Sequence, residues 1–478
     1  AGVYITAFHP VGGGSAGCVI ANRLSEDPDV TVLLLEAGGL ETASRQVPFA
    51  APMNLRGDDD WEDWSVTQKN AALSFHEQVG ARRLPVSRGK ALGGSSVLNF
   101  MLYTRGNPRD YDRWAREYGA KGWAYEDVLP HVREIEYYRV GAPDEYHGTS
   151  GEVPVDYANT TTRLTELLEA CRQSGYPQVD YNGHSQPGCS QLQTNIANGE
   201  RISASKAFIQ PIVGTRENLH VALLSHVTKV NFEGTRAVGA SFTRFGRPGT
   251  VSAKREVILS AGTVGSTQHL LLSGLGPKEE LKQGSHHVDF PGPRNAEDNN
   301  DAMRPAARAL YIYPRVSFSR TALYLQVFDS YIGPVNGQPG FQAVTILNRP
   351  RSRGSITLRS TDPYEHPNID PRILEHPDDA RAAAQGIECL FRHTALPIWH
   401  LCCTVAMGSH SEAVLDERLR VRGNVTGLRV ADASVMPDIV SGHTNAPSMM
   451  IGSKTADMII EDNEERHSKK RRRTTGRH

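Results

Sequence analysis

No stretch of the 478 residues approaches the roughly 18 consecutive apolar residues of a membrane helix, so no transmembrane segment is expected. Charge of one sign is missing too. The formal net charge is −1, which gives nucleic acid or an acidic membrane no claim as the main partner. No secretory leader precedes the first glycine-rich stretch, and the start at Ala1 reads as a processed or trimmed end. Cysteine is scarce: Cys18, Cys171, Cys189, Cys389, Cys402 and Cys403 show no zinc spacing and no C-x-x-C, and no metal site is expected. All six are expected to be reduced thiols, most of them buried. No internal repeat is evident. The compartment and the oligomeric state are left open. What remains is a globular chain too long for one core, so two or more domains are expected.

Glycine is concentrated where it matters most. Gly12, Gly14 and Gly17 fit the G-x-G-x-x-G spacing, and a helix opens directly after them at Cys18–Leu24. Such glycines allow a tight strand-to-helix turn, close approach to a pyrophosphate, and close helix–strand packing. The phosphates then sit over the helix N-terminus. Asp29–Leu35 reads as a buried parallel strand ending in Glu36, nineteen residues beyond Gly17. A carboxylate there accepts hydrogen bonds from both ribose hydroxyls of an adenosine and repels a 2′-phosphate. The order predicts a dinucleotide site, for FAD or NAD. One residue fits badly: Pro10 lies in the first strand, lacks a ladder donor, and puts the last turn of that strand in doubt.

A second glycine-rich block, Arg88 to Asn99, holds Gly93-Gly94-Ser95-Ser96 before an apolar helical start. Small residues there expose backbone N–H groups, as an anion or flavin cradle needs, although an ordinary loop has the same composition. Beyond it, helices are expected at Asp110–Tyr118, Glu126–Tyr138 and Leu164–Ser174. Strands are expected at Glu152–Asp156, His220–Leu224, Val227–Phe232, Ala237–Phe242 and Val257–Ser260. A leucine-rich helix follows Ala261-Gly262. Ala343–Leu347 and Gly354–Leu358 suggest a second, antiparallel sheet, and Gly427–Asp432 with Ala446–Asp462 returns to strand and helix. The basic run Ser468–Arg473 is expected to be a disordered tail, with a nuclear address or polyanion contact as the alternative.

Four stretches together resemble the glucose–methanol–choline (GMC) family of FAD-dependent oxidoreductases, particularly its choline-dehydrogenase-like and arthropod glucose-dehydrogenase-like members. They are VGGGSAGCVIANRLSEDPDVTVLLLEAGG, RGKALGGSSVLNFMLYTRGNPRDYDRW, EVILSAGTVGSTQHLLLSGLGP and LRVRGNVTGLRVADASVMPDIVSGHTNAPSMMIGSKTADMI. The resemblance implies FAD rather than NAD. It places Gly12, Gly14, Ser15 and Gly17 at the pyrophosphate, Glu36 at the ribose, and Gly93, Gly94, Ser95 and Asn99 beside the isoalloxazine and pyrophosphate. Val227 would meet the adenine and Asp432 the phosphate–ribityl region, with Ala433, Thr444 and Asn445 completing the set. It also implies a Rossmann-like α/β FAD-binding domain with an α+β, antiparallel-sheet substrate domain. The expected division is residues 1–150, 190–295 and 410–462 for the FAD domain, 151–189 and 296–409 for a shortened substrate domain, and 463–478 for the tail.

Alcohol oxidation needs a base where hydride leaves carbon, and histidine, with a pKa near 6.5, suits that transfer. Of 18 histidines, two match family positions. The resemblance makes His400 the principal base and His443 the partner orienting the substrate oxygen, and leaves His393 structural. The expected activity is oxidation of a choline-, sugar- or aryl-type alcohol, with a quinone-type acceptor or oxygen. Two alternatives stand beside it: a catalytically impaired flavin-binding form acting through partners, and a cyanohydrin lyase. Departures from the family pattern lie between Pro291 and His400. There the loop Pro291–Asp298 is reduced, Ala382–Ile387 runs straight into Glu388, and Cys403 occupies a usual glycine position.

Overall fold

A strand, a glycine turn, a helix and a second apolar strand open the chain. β1 (Tyr4–Val11), α1 (Ser15–Leu24) and β2 (Val32–Leu35) form a parallel βαβ unit. The computed structural model describes residues 4–72, 82–142, 144–158, 164–277, 288–289, 308–314, 341–347, 349–382 and 399–475. All four residues of β2 are buried, each worth roughly 1.5–3 kcal/mol of apolar surface removed from water. After a single helical turn at Ala43–Gln46, three longer helices follow: α2 (Pro108–Glu117), α3 (Tyr125–Ile135) and α4 (Leu164–Gln173). The sheet resumes with β3 (Leu219–Ala222), β4 (Ser225–Glu233), β5 (Arg236–Arg244) and β6 (Arg247–Leu259), then α5 (Gly262–Leu272). β7 (Leu428–Val430) and α6 (Asn445–Thr475) end it.

These strands make one seven-stranded sheet, six of them in the order β3-β2-β1-β6-β5-β4 and the seventh, β7, pairing with β6 off this path. β6 is long enough to serve two architectures. Its first half pairs antiparallel with β5, and its end runs parallel to β1 on one edge and to β7 on the other. The carboxyl ends of β1, β2, β6 and β7 therefore lie together, the position where open α/β sheets hold ligands. Beyond the sheet, antiparallel ladders join Arg308–Pro314 to Phe341–Leu347 and Ser355–Thr357 to Asn368–Asp370. The Pro291–Asp298 loop, Cys389, His393 and most of 296–398 lie outside the described residues.

Four expectations differ from what is observed. β1 runs through Pro10, which stands opposite Ile258 of β6; the donors on either side, Gly12 N to Leu35 O (2.8 Å) and Ser260 N to Val11 O (2.7 Å), close the strand end around it. Helix α3 stops at Ile135 rather than Tyr138. The buried Glu136 carboxylate is claimed by the Arg105 guanidinium and the Gly148 amide, which turns Glu136–Tyr138 into a strand beside Val153–Val155. Not all six cysteines are thiols: Cys171 and Cys189 form a disulfide, with Cα atoms 6.5 Å apart. The chain reverses at Gly175, and Val179 and Cys189 then pair through their backbones (Val179 N to Cys189 O, 2.9 Å), a return that spacing alone does not reveal. Finally, the basic run Ser468–Arg473 is helical, because α6 continues to Thr475.

His9 carries a physical penalty at the centre of this sheet. It is fully buried in β1, and neither ring nitrogen has a hydrogen-bond partner among the described residues. Burial pushes its pKa down to about 4. An unfolded histidine titrates near 6.5, so the unfolded chain binds the extra proton between those values. Stability is therefore full above about pH 6.5 and falls as pH falls towards 4, where His9 levels off. Replacing the ring with a side chain that cannot titrate removes this slope. In urea titrations, His9→Val is expected to lose about 2 kcal/mol less than the parent between pH 7 and pH 5. Equal losses in both proteins would assign the slope to other groups.

Candidate active site

The three motif glycines do different work. Gly12 has φ +100°, and a Cβ there would lie 2.6 Å from Ser260 O; a Cβ on Gly17 would lie 2.0 Å from Gly12 O. Both are demanded by the protein itself. Gly14 is not: its φ of −85° suits any residue, and a Cβ would meet nothing nearer than Ser260 O at 3.8 Å. Its bareness keeps open the space before the α1 N-terminus. Gly94 faces it so closely that a Cβ there would sit 2.6 Å from the Gly14 Cα. Gly93 donates its N–H to Gly13 O (2.6 Å), which joins the two glycine-rich loops.

A third element completes this cradle. Ser15 Oγ at the start of α1 bonds Asn445 Oδ1 at the start of α6 (2.7 Å), so the positive ends of two helices converge on one place. The Thr444 carbonyl accepts from Ser448 N (3.0 Å) and forms the first turn of α6. Two helix N-termini, an open glycine and a glycine-lined wall fit a pyrophosphate.

Glu36 ends β2 fully enclosed. Its two oxygens accept from Gly13 N (2.8 Å) and Gly38 N (2.7 Å), and burial pushes its pKa up to about 7 against the pull of those donors. A carboxylate has about four acceptor sites, so capacity remains beyond these backbone donors for a further hydroxyl. Ser225 N bonds Glu36 O (2.8 Å), which brings the start of β4, and with it Val227, beside the β2 end. Ser95 Oγ accepts from Gly89 N (3.2 Å). Asn99 is committed to the protein: its Oδ1 accepts from Met101 N (3.0 Å) and Arg201 Nη1 (2.7 Å). Asp432 is a pin, since its carboxylate accepts from Gly262 N (3.0 Å), Ser266 Oγ (2.5 Å) and Ser434 N (2.8 Å) and so ties α5 to the end of β7. Ala433 accepts from Cys403 N (3.2 Å) and starts a ladder in which Val405 and Met407 bond Ser434 and Val435.

That ladder delivers His400. Thr263 Oγ1 bonds Leu401 O (2.7 Å), and Trp399 Nε1 bonds Pro85 O (3.1 Å), so the histidine is fixed from both sides. His443 arrives from the loop before α6. The two rings meet with His400 Nε2 3.0 Å from His443 Nδ1, centroids 4.8 Å apart and planes at 74°. Burial pushes His443 down to about 4 and holds His400 well below the usual histidine range. At neutral pH both imidazoles are therefore neutral, one donating and one accepting in the shared bond. Such a pair can take a proton from a hydroxyl placed against it. Cys403 shows why glycine is usual at its position: its φ is +73°, a left-handed backbone that costs a side chain roughly 1–2 kcal/mol.

Sequence reasoning missed the residues that hold these groups in place. Thr104 accepts the His443 N–H, yet a threonine in an apolar block carries no signal of that. Arg201 and Ser266 were equally silent.

The sequence profile of the GMC oxidoreductases matches this chain over residues 9–293, and the family's C-terminal profile matches in two pieces, 350–397 and 384–452. Human mitochondrial choline dehydrogenase is 34% identical, over 94% of this chain and 89% of its own length. Glucose dehydrogenase [FAD, quinone] of Drosophila melanogaster is also 34% identical, over 95% of this chain and 86% of its own. These alignments run to 540 and 547 positions against a chain of 478 residues, so the relatives carry segments that this chain lacks. Among solved structures, pyridoxine 4-oxidase from Mesorbium loti superposes with a TM-score of 0.76 and 25% identity, over 95% of this chain and 98% of its own.

Proposed function

From the premise that this chain belongs to the GMC oxidoreductase family, we propose that it oxidises a choline-, sugar- or aryl-type alcohol, with His400 as base and His443 orienting the reacting hydroxyl. It is an FAD-dependent alcohol oxidoreductase, and FAD supplies the hydride acceptor. Gly12, Gly14, Ser15, Gly17, Gly93, Gly94 and Asn445 hold the pyrophosphate, while Glu36 and Val227 take the adenosine end. Ser95, Asn99, Asp432, Ala433 and Thr444 frame the remainder. The FAD domain draws on residues 1–150, 190–295 and 410–462, and 151–189 and 296–409 serve the substrate. The observation that carries this reading is the 3.0 Å contact between His400 Nε2 and His443 Nδ1, two neutral imidazoles 43 residues apart in sequence.

The chemistry asked of these residues is modest. The alcohol lies with its hydroxyl against the paired rings rather than between them, His400 takes the hydroxyl proton on a ring nitrogen, and His443 fixes the oxygen by hydrogen bonding. Developing alkoxide character makes the carbon a better hydride donor. A quinone-type compound or oxygen accepts the electrons in the second half-reaction.

A second reading has an observation of its own. The relatives' extra segments, and the broken C-terminal match meeting at 384–397, favour a flavin-binding protein with impaired turnover that acts through partners. Anaerobic mixing of the FAD-loaded protein with choline, glucose and aryl alcohols separates the two. At least one class is expected to bleach the flavin. A flavin that stays oxidised with every alcohol removes the enzymatic reading, and re-oxidation with oxygen or a quinone then names the acceptor.

A further inference from the structure

His443 reaches its place through a backbone that other residues hold, and the structure shows which. Its N–H donates to Thr104 Oγ1 at 2.6 Å, and Thr104 is only 6% exposed. The preceding residue leaves no slack: a Cβ on Gly442 would lie 2.7 Å from the same oxygen. One residue further back, Ser441 N donates to Asp110 Oδ2 (2.6 Å), and that oxygen also receives Asn107 N (3.0 Å) at the start of α2.

Thr104 is itself clamped on both sides. Asn182, 3% exposed, accepts Arg105 N on its Oδ1 (2.9 Å) and donates from Nδ2 to Tyr103 O (3.1 Å), bracketing the threonine. Gln186 donates to Gly106 O (2.9 Å) and accepts from Asn107 Nδ2 (2.6 Å). Asn182 and Gln186 belong to the loop that ends at Cys189. Helix α4, at the other end of that disulfide, buries no residue of its own.

We propose that Thr104 is a positioning residue for His443, held in register by Asn182 and Gln186 of the loop that the Cys171–Cys189 disulfide closes. The inference rests on the reading that His443 stands at the reacting hydroxyl. Thr104 touches no reacting atom. It sets the height at which the imidazole stands, and misplacing such a group by about 1 Å can slow a reaction up to roughly 10²-fold.

The test is anaerobic flavin reduction by the best alcohol of the panel, with FAD content measured on each preparation. Thr104→Val keeps shape and loses the acceptor, and is expected to cut the limiting reduction rate by roughly tenfold with FAD content and half-saturating alcohol little changed. Thr104→Ser, which restores the hydroxyl, is expected to stay within about twofold of the parent. In a His443→Ala background, Thr104→Val should cost nothing further, because both act through one ring. A wild-type rate in Thr104→Val beside a slow His443→Ala overturns the positioning role. So does a loss of rate that tracks a loss of FAD, or an additive double variant. A wild-type rate in His443→Ala removes the underlying reading, and this inference with it. Should Thr104→Val fail to fold, Gln186→Met cuts the clamp at its outer, half-buried end. It is expected to slow reduction about threefold, and an unchanged rate there also overturns the proposal.

Discussion

Gly14→Val should purify as a folded protein without colour. Most substitutions in a glycine-rich turn confound ligand loss with misfolding, and Gly12 and Gly17 would do so, since a Cβ at either overlaps a backbone oxygen. Gly14 escapes that objection because its φ of −85° accommodates valine and, adjoining residues aside, the nearest atom to the added Cβ is Ser260 O at 3.8 Å. The isopropyl group instead fills the cradle between α1, α6 and the Gly93-Gly94 loop, where a pyrophosphate in the proposed site would need the amide groups bare. An affinity loss of at least about 100-fold, or about 2.7 kcal/mol, is expected. Flavin absorbance after dialysis against FAD measures it, and circular dichroism checks the fold. Retention of FAD at the parent's stoichiometry would move the pyrophosphate elsewhere.

His400→Ala is the second large effect. With FAD bound and the alcohol saturating, the reduction rate should drop by roughly 10²–10⁴, the usual worth of a positioned acid–base group. His443→Ala should cost less, and His443→Asn less again, because an amide still donates to the oxygen. The pH profile carries separate information. A base must be unprotonated to act, and burial beside His443 holds His400 well below the usual histidine range. The acid limb of kcat/KM is therefore expected below pH 6.5, with activity falling as pH falls through that lowered pKa and flat through neutrality. A limb centred at 6.5 or above would point to a different base, and unchanged reduction in FAD-loaded His400→Ala would dismiss this one.

Much of this was legible because local pattern and tertiary environment agree. In Gly12–Glu36 the turn, the helix and the buried strand each favour the same βαβ unit, and the observed β2 lies inside the expected strand. Where they disagree, tertiary packing wins. Pro10 speaks against a strand, yet β6 and β2 pair with β1 on both edges and carry it through. Glu136 continues a helical pattern, but a buried carboxylate must find a cation, and Arg105 lies off the helix. The site divides in the same way. Glycines are readable because missing side chains announce close approach. His400 and His443 needed a family pattern, because nothing local says that two histidines 43 residues apart share a hydrogen bond. Thr104 and Asn182 stayed hidden for a plainer reason: hydrogen bonds between side chain and distant backbone leave no periodicity to detect.

The bond between Ser15 and Asn445 joins residues 430 apart in sequence, and this sets a timetable for biosynthesis. At ribosomal speeds of about 5–20 residues per second, roughly 20–90 s separate the emergence of the first half of the cradle from that of the second. During that interval β6 lacks β7, α1 lacks the helix it packs against, and the apolar faces of both stand open to aggregation. The two halves of the cradle can therefore meet only after Asn445 has left the ribosome.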